Sequence, residues 1–137
     1  MSGPVRSGQA MVAGMDPVLD DTGYVFCTVT DAALVEIARD AALGWFAEDE
    51  GLSLILQAGR ARELGLPAET VMRRLVLTVY SALDGVGLTA AVSGALAEAG
   101  IACNMVAAYH HDHVFVPAAD AEKALAVLRQ LQAKSAS

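Results

Sequence analysis

The loop at residues 81–89 holds the groups of this chain best suited to binding chemistry. Its sequence, Ser-Ala-Leu-Asp-Gly-Val-Gly-Leu-Thr, lies between a predicted strand and a predicted helix. The first turn of a helix carries free main-chain N–H groups and the positive end of the helix dipole, which attract a carboxylate or another anion. Gly85 and Gly87 let a ligand approach the main chain closely. Asp84 is placed either to hold a ligand amine or to cap the helix, and capping is the commoner role.

A second group of polar residues, His110-His111-Asp112-His113, lies at a predicted turn between two strands. Imidazole and carboxylate groups are ligands for zinc and other transition ions. Consecutive residues at a strand turn point in different directions, so one chain can aim about two of them at a single ion. We therefore favour a turn shaped by Asp112, with the histidines in packing and solvent contacts, and keep metal binding by His110–His113 as an alternative.

The glycine loop also fits the G-x-G-x-x-A form of a dinucleotide fingerprint, through Gly85, Gly87 and Ala90. Asp112 would then be the ribose contact. Four residues separate the predicted strand from Gly85, and the following strand turns back in a hairpin where a parallel sheet needs another crossover. The chain is also too short for a doubly wound fold, so we disfavour a dinucleotide site.

No arrangement typical of catalysis is found in the sequence. No serine, cysteine or threonine is placed beside a base with an orienting third group, and no nucleophile elbow is present. The carboxylate pair Asp20 and Asp21 lies in a segment with no sustained periodicity. We predict that the protein is not an enzyme and carries no cofactor.

Composition narrows the classes of partner and location. The chain has 137 residues and a net charge of −7 with only nine Lys and Arg, whereas phosphate binding needs a clustered basic face. No apolar run approaches the ~20 residues of a membrane helix, and no secretory signal is recognised. Cys27 and Cys103 lie far apart in strand-like runs, which indicates reduced, buried thiols. We predict a cytoplasmic protein that binds neither nucleic acid nor membrane.

Apolar periodicity predicts an α+β fold. Trp45 and Phe46 are predicted to form a hydrophobic plug between elements, and the acidic run 48–50 is predicted to form a solvated turn.

The C-terminal half has the predicted order strand, helix, strand, hairpin strand, helix, which is a split βαβ unit without its final strand. The first half or a second copy must cover that edge. Strands are predicted near residues 24–29, 53–56, 71–80, 101–109 and 113–116, and helices near 34–41, 59–64, 88–99 and 121–131.

The run from Leu83 to Ile101 closely resembles the signature of ACT domains, in which a polar loop and a glycine open the first helix and an Ala-Gly-Ile step ends it. From about Gly23 to Leu131 the chain is similar to small bacterial proteins with two tandem ACT-like modules. The residues that carry this likeness are 24–27, 50–52, 83–91, Cys103-Asn104 and 109–117. The resemblance implies ferredoxin-like βαββαβ modules in tandem, with antiparallel sheets and helices on one face.

The same resemblance suggests the organisation and function of the chain. We expect a flexible arm at 1–22, an incomplete first module at 23–67, a second module at 71–132 and a frayed tail at 133–137. ACT domains bind amino acids or similar effectors, which predicts a non-catalytic sensor or regulatory domain, and edge strands predict a homodimer. A structural or assembly module without a ligand is the alternative. The predicted ligand-binding residues are Asp84, Gly85, Val86, Gly87, Leu88, Thr89 and Asn104.

Overall fold

The computed structural model describes residues 3–136 and divides the chain into two compact units. The central unit is Thr22–Met72, and the terminal unit combines Met1–Asp21 with Arg73–Ser137. In chain order the elements are α1 (Gly8–Ala13), β1 (Val18–Val29), α2 (Ala32–Ala41), β2 (Gly44–Glu48), β3 (Gly51–Gln57), α3 (Ala58–Glu63), β4 (Met72–Leu77), α4 (Leu88–Glu98), β5 (Asn104–Ala107), β6 (Asp112–Pro117) and α5 (Ala121–Ala136).

The central unit is a three-stranded antiparallel sheet in the order β2-β3-β1. Val25 and Val29 of β1 and Leu54 and Leu56 of β3 are buried, and α2 and α3 both pack on β3. Asp31 begins α2 as predicted, because its carboxylate accepts the Leu34 N–H at 3.0 Å. The buried side chains of this core are Val25, Val29, Ala38, Leu54, Leu56, Ala58 and Ala61.

The prediction of a hydrophobic plug at Trp45 and Phe46 is wrong. Both residues lie in β2, the outermost strand of the central unit, with 53% and 75% of their surfaces exposed. Trp45 lies beneath the Arg39 guanidinium, which is 5.9 Å from its ring centroid. A strand at the edge of a sheet has neighbours on one side only, so its side chains are covered less well than the apolar sequence suggests.

The terminal unit contains the strand order β1-β4-β6-β5, to which β1 contributes its first residues, 18–21. β5 and β6 form an antiparallel hairpin in which Asn104 lies opposite Phe115 and Ala107 opposite Asp112. The helices α1, α4 and α5 pack against one another. The main buried side chains of this core are Met11, Val12, Met15, Leu75, Leu77, Val79, Leu88, Val92, Leu96, Ile101, Val114, Val116, Ala121, Ala124 and Leu128.

We predicted a flexible arm at residues 1–22, but the described residues from Val5 onwards form a strand bridge, α1 and the start of β1. Val5 forms a parallel bridge with Ser81, and the Ser7 hydroxyl caps α1 by accepting the Ala10 N–H. Met11 and Met15, four residues apart, are both buried in the terminal core. Met11 lies on α1, whereas Met15 follows the C-cap residue Gly14, and this short apolar pattern was obscured by the surrounding glycine and alanine.

The first residues of β1 provide the strand that the βαββα order of the C-terminal half lacks. They lie beside β4, and just before them the Met15 carbonyl accepts the Thr78 N–H at 2.7 Å. Arg74 of β4 donates from Nη2 and Nε to one carboxylate oxygen of Asp20, at 2.8 and 3.1 Å. The edge of β4, where the predicted split βαβ unit lacks its final strand, is therefore covered within this unit.

Arg74, which pairs with Asp20, also contacts His113 of β6. Arg74 Nη1 lies 3.4 Å from His113 Nδ1. Burial lowers the pKa of His113 below its ordinary value of 6.5, and the charge of Arg74 and the neighbouring His111 add to the effect, while Asp112 opposes it. The fold therefore favours neutral imidazole at this position.

We predict that truncation of Met15 strongly destabilises the protein. Met15 is fully buried, and Met15→Ala should lower the free energy of unfolding by about 2–5 kcal/mol in urea denaturation. Val18→Ala, at a position that is 54% exposed, is the control and should change it by about 0.5 kcal/mol or less. Equal effects of the two substitutions would show that the N-terminal segment is not part of the core.

A second prediction concerns pH. Since the folded protein holds the His113 pKa below 6.5, the unfolded chain binds the proton first, and stability should fall as the pH drops below 6.5 towards the folded pKa. In His113→Gln the loss of unfolding free energy between pH 7.5 and pH 5.5, measured in urea, should be smaller. Val106→Ala alters the residue opposite His113 without removing a titratable group, and it should retain the wild-type slope.

Candidate functional site

The loop between β4 and α4 is held by the N-terminal segment. The Val5 N–H donates to the Tyr80 carbonyl at 2.7 Å, and the Ala82 N–H donates to the Val5 carbonyl at 2.8 Å. The chain then turns, with the Gly85 N–H donating to the Ala82 carbonyl at 3.0 Å. Residues that are far apart in sequence are thereby fixed beside each other by main-chain hydrogen bonds.

A cavity of about 120 Å³ opens where this segment, the loop and the β5–β6 hairpin meet in the terminal unit. It combines two opposite charges, two phenol rings and a buried hydroxyl in a small space. The lining residues are Pro4, Arg6, Tyr80, Ser81, Ala82, Leu83, Asp84 and Tyr109.

The two charged residues of the cavity form an ion pair across 78 positions of sequence. Arg6 Nη1 donates to Asp84 Oδ1, and the two side chains are 65% and 75% exposed. An ion pair so open to water contributes little stability, typically about 0–1 kcal/mol. A ligand that contacted both charged groups could therefore separate Arg6 from Asp84 at a small cost in free energy.

Aromatic rings form one side of the cavity. The ring centroids of Tyr80 and Tyr109 lie 6.3 Å apart, and His110 lies 5.3 Å from the first and 4.9 Å from the second. A hydrogen bond with Tyr109 raises the pKa of Tyr80, and partial burial and the charge of Tyr109 add to this effect. The Tyr80 phenol is therefore neutral at physiological pH, and its ring faces suit a cation or an apolar group.

Ser81 lines the cavity, and its hydrogen-bond partner Asp112 is buried in the terminal unit. The Ser81 hydroxyl donates to Asp112 Oδ2 at 2.9 Å, and both residues are buried. Because the Ser81 hydroxyl donates its hydrogen to Asp112, its oxygen can act only as an acceptor towards any further partner.

The structure brings part of the predicted site to this cavity. Asp84 lines it but does not cap α4: the helix begins after Gly87, and within residues 3–136 no side chain caps its first turn. Gly87 has a φ of +115°, which favours glycine. Gly85 lies below the N-terminal segment, where an added β-carbon would be 3.1 Å from the Arg6 carbonyl oxygen. Val86 is 83% exposed.

The other three predicted residues lie elsewhere in the terminal unit. Leu88 is buried in the core, and Thr89 is exposed on α4. Asn104 begins β5, five residues before Tyr109, which is roughly 15 Å along an extended strand, and it does not line the cavity. Sequence analysis missed Arg6 and Tyr109, whose contribution depends on contacts between distant segments.

The four residues at the histidine turn have separate partners. His110 packs on Tyr109, His111 Nδ1 lies 3.5 Å from the Val79 carbonyl, Asp112 accepts from Ser81, and His113 lies beside Arg74. Among residues 3–136 no group of three or more His, Cys, Asp or Glu is arranged to hold a metal ion. The antiparallel β5–β6 hairpin also excludes the parallel crossover that a dinucleotide fold requires.

The central unit has a depression at the corresponding topological position, between its first βα loop and its hairpin. Its volume is about 390 Å³, and its rim carries Glu48, Asp49 and Glu50 with no lysine or arginine among the described residues that line it. Another depression, of about 500 Å³, lies beside Arg62 and residues 65–69. Neither of these two depressions has an aromatic residue in its lining, whereas the cavity at Arg6 and Asp84 combines opposite charges with two tyrosines.

Comparison of the sequence with protein families gives two matches described as ACT domain, one over residues 5–73 and one over residues 71–130. Comparison with curated proteins gives no match. No helix within residues 3–136 has the length and apolar character needed to span a membrane.

Several solved structures are similar to this chain. A Vibrio cholerae protein of unknown function, described as a possible transport protein, is 40% identical, with a TM-score of 0.77 over 88% of this chain and 92% of its own. An Agrobacterium tumefaciens protein is 20% identical, with a TM-score of 0.62 over 85% and 87%. The regulatory subunit of aspartate kinase from Thermus flavus is 13% identical and shares the fold, with a TM-score of 0.61 over 84% and 95%. The chain therefore belongs to the ACT domain family and carries two ACT domains in tandem.

Proposed function

We propose that this protein is a regulatory module that binds a small-molecule effector, with an amino acid as the ligand class, and performs no catalysis. The observation that carries the proposal is the cavity at the βα loop of the second ACT domain, where the Arg6 guanidinium and the Asp84 carboxylate meet. An amino acid offers the matching carboxylate and ammonium groups. The fold likeness to a regulatory subunit of aspartate kinase supports a regulatory role.

The loop also supports this proposal through its position. The first-turn N–H groups of α4 have no side-chain cap among the described residues and lie directly after the cavity-lining segment. Their partial positive charge favours an anionic ligand nearby. Gly85, Val86, Gly87 and Thr89 remain proposed ligand contacts on this basis, and Asn104 remains proposed only for a ligand that extends towards β5.

The contacts of Ser81 at the cavity support a binding role. Ser81 bonds directly to Asp112, so no imidazole lies between the hydroxyl and the carboxylate to act as a general base. His111, which precedes Asp112, has its Nδ1 3.5 Å from the Val79 carbonyl. These contacts favour a binding role for the site.

We further propose that the protein is a homodimer formed through β2. This strand ends the sheet order of the central unit, and it carries the exposed pair Trp45 and Phe46. A sheet edge has unpaired main-chain groups, and antiparallel pairing of two such edges about a two-fold axis satisfies both copies equally. The same edge is the observation that favours the alternative function, an assembly module without a ligand.

The binding proposal predicts selective stabilisation of the protein by its ligand. When each of the twenty amino acids is added in a thermal unfolding assay, a ligand at 100 times its Kd should stabilise the fold by about 2.7 kcal/mol, which raises Tm by several degrees. The N-acetyl derivative of the same amino acid, which lacks the ammonium, is the matched control and should have little effect. If neither an amino acid nor a nucleobase raises Tm, the assembly alternative is favoured.

The dimer proposal predicts a change of mass on substitution of Phe46. Sedimentation velocity should give a dimer for the natural protein and a monomer for Phe46→Asp, because two carboxylates would be placed at the paired edge. Ala126→Asp, at an exposed position of α5, is the control and should remain dimeric. A natural protein that sediments as a monomer at all concentrations tested would contradict this proposal.

A further inference from the structure

We infer that the open face of the central sheet is a docking surface for a cationic amphipathic helix of a partner protein. The open face is the side of strands β1, β2 and β3 that carries Phe26, Phe46 and Ile55. This surface belongs to the central unit, whereas the proposed ligand cavity belongs to the terminal unit. The inference therefore does not depend on amino-acid binding.

The strand register places these three apolar side chains on one side of the sheet. Phe26 of β1 lies opposite Ile55 of β3. Phe46 of β2 lies opposite Ser53, two residues before Ile55. Because paired residues share a face and side chains alternate along each strand, all four project to the same side. The alternate residues project to the other side, where α2 and α3 complete the buried core.

Aromatic surface on the open face is accessible to solvent. Phe46 is 75% exposed and Phe26 is 46% exposed, and the partly buried Ile55 lies on the strand between theirs. Single exposed apolar residues are common, but apolar residues grouped on one face mark an interaction site. Aromatic side chains are also the preferred anchors at the centre of protein interfaces.

Charge identifies the kind of partner. The central unit, residues 22–72, holds eight Asp and Glu against three Arg, a net charge of −5 within the total of −7. All three arginines lie on α2 and α3, which cover the other side of the sheet. Glu48 ends β2 and accepts a hydrogen bond from the Ser53 hydroxyl, and Asp49 and Glu50 follow in an exposed turn. A second copy would bring like charges together, whereas a cationic partner is attracted.

The dimensions of the open face match one helix. Two strand spacings of about 4.8 Å separate β1 from β2, and a helix with its side chains is about 10–12 Å wide. Helices already cover the other side of this sheet, and a further helix is the usual layer on an exposed apolar sheet face. Its apolar stripe would lie on Phe26 and Phe46, with its lysines and arginines towards residues 48–50.

The small size of the open face determines the strength of the interaction. It measures roughly 10 by 20 Å, from two strand spacings and six paired residues, whereas each partner in a standard stable interface buries about 800 Å². We therefore expect transient binding that salt weakens. Pairing of two β2 edges in a homodimer would use main-chain groups, so it would leave this face available.

The test uses a fluorescent peptide of about 18 residues, made of leucine and lysine in helical period, titrated with the full chain and followed by anisotropy. We expect saturable binding at low ionic strength. Phe26→Thr and Phe46→Thr should each weaken it about tenfold. The double variant Asp49→Asn, Glu50→Gln lies in an exposed turn, and it should weaken binding about fivefold and reduce the dependence on salt.

Matched controls make the same chemical changes in the terminal unit. Val18→Thr replaces an apolar residue that is 54% exposed, and Glu122→Gln removes an exposed carboxylate from α5. Both should bind the peptide as the natural protein does. A peptide with glutamate in place of every lysine should bind at least tenfold more weakly. Circular dichroism checks that each variant is folded.

Three results would overturn the inference. The first is equal binding of the lysine and glutamate peptides, and the second is normal binding by Phe26→Thr and by the double variant. The third is a lower sedimentation mass for Phe26→Thr than for the natural protein, because Phe26 lies two strands from the β2 edge and such a change would show that a second copy covers this face. None of these results bears on amino-acid binding, so the proposed function is tested separately.

Discussion

The main-chain hydrogen bonds between Val5 and the Tyr80–Ala82 segment determine which residues meet at the candidate site. They place Pro4 and Arg6 at the cavity and hold the loop that leads into α4. Two hydrogen bonds contribute about 0.5–1.5 kcal/mol each, while ordering the main chain costs about 1–2 kcal/mol per residue, so these bonds cannot order this segment alone. Burial of Met11, Val12 and Met15 a few residues later anchors it. The site therefore depends on the hydrophobic core of the terminal unit.

Local pattern was sufficient to predict most of the elements and the family. A run that is β-rich on both faces around Val25 indicated a buried strand, and a short strand was predicted around Leu54. The Asp31 cap, the helix from Leu88 and the hairpin before Val114 all lie where the sequence placed them. Each of these features is decided within a few residues, by side-chain period or by a capping group. The resemblance to ACT domains, confirmed by the family matches, rested on the same local runs.

The features that sequence analysis missed all depend on distant contacts. Arg6 and Asp84 are 78 residues apart, and nothing near Arg6 indicates a partner. The six-residue α1 is too short to reveal a helical period, and the exposure of Phe46 follows from its place at a sheet edge. Capping was the commoner role for Asp84 because this residue lies just before a predicted helix. In the structure Arg6, from another segment, donates to its carboxylate instead. Such competition between local and tertiary partners cannot be read from one stretch of chain.

The two ACT domains share a topology but differ in charge at the corresponding position. In the central unit the hairpin beside the βα loop presents Glu48, Asp49 and Glu50, which would repel a carboxylate. In the terminal unit the equivalent hairpin presents Tyr109, and the balancing cation comes from Arg6, outside the βαββα unit itself. The two ACT domains therefore present different charged residues beside equivalent loops.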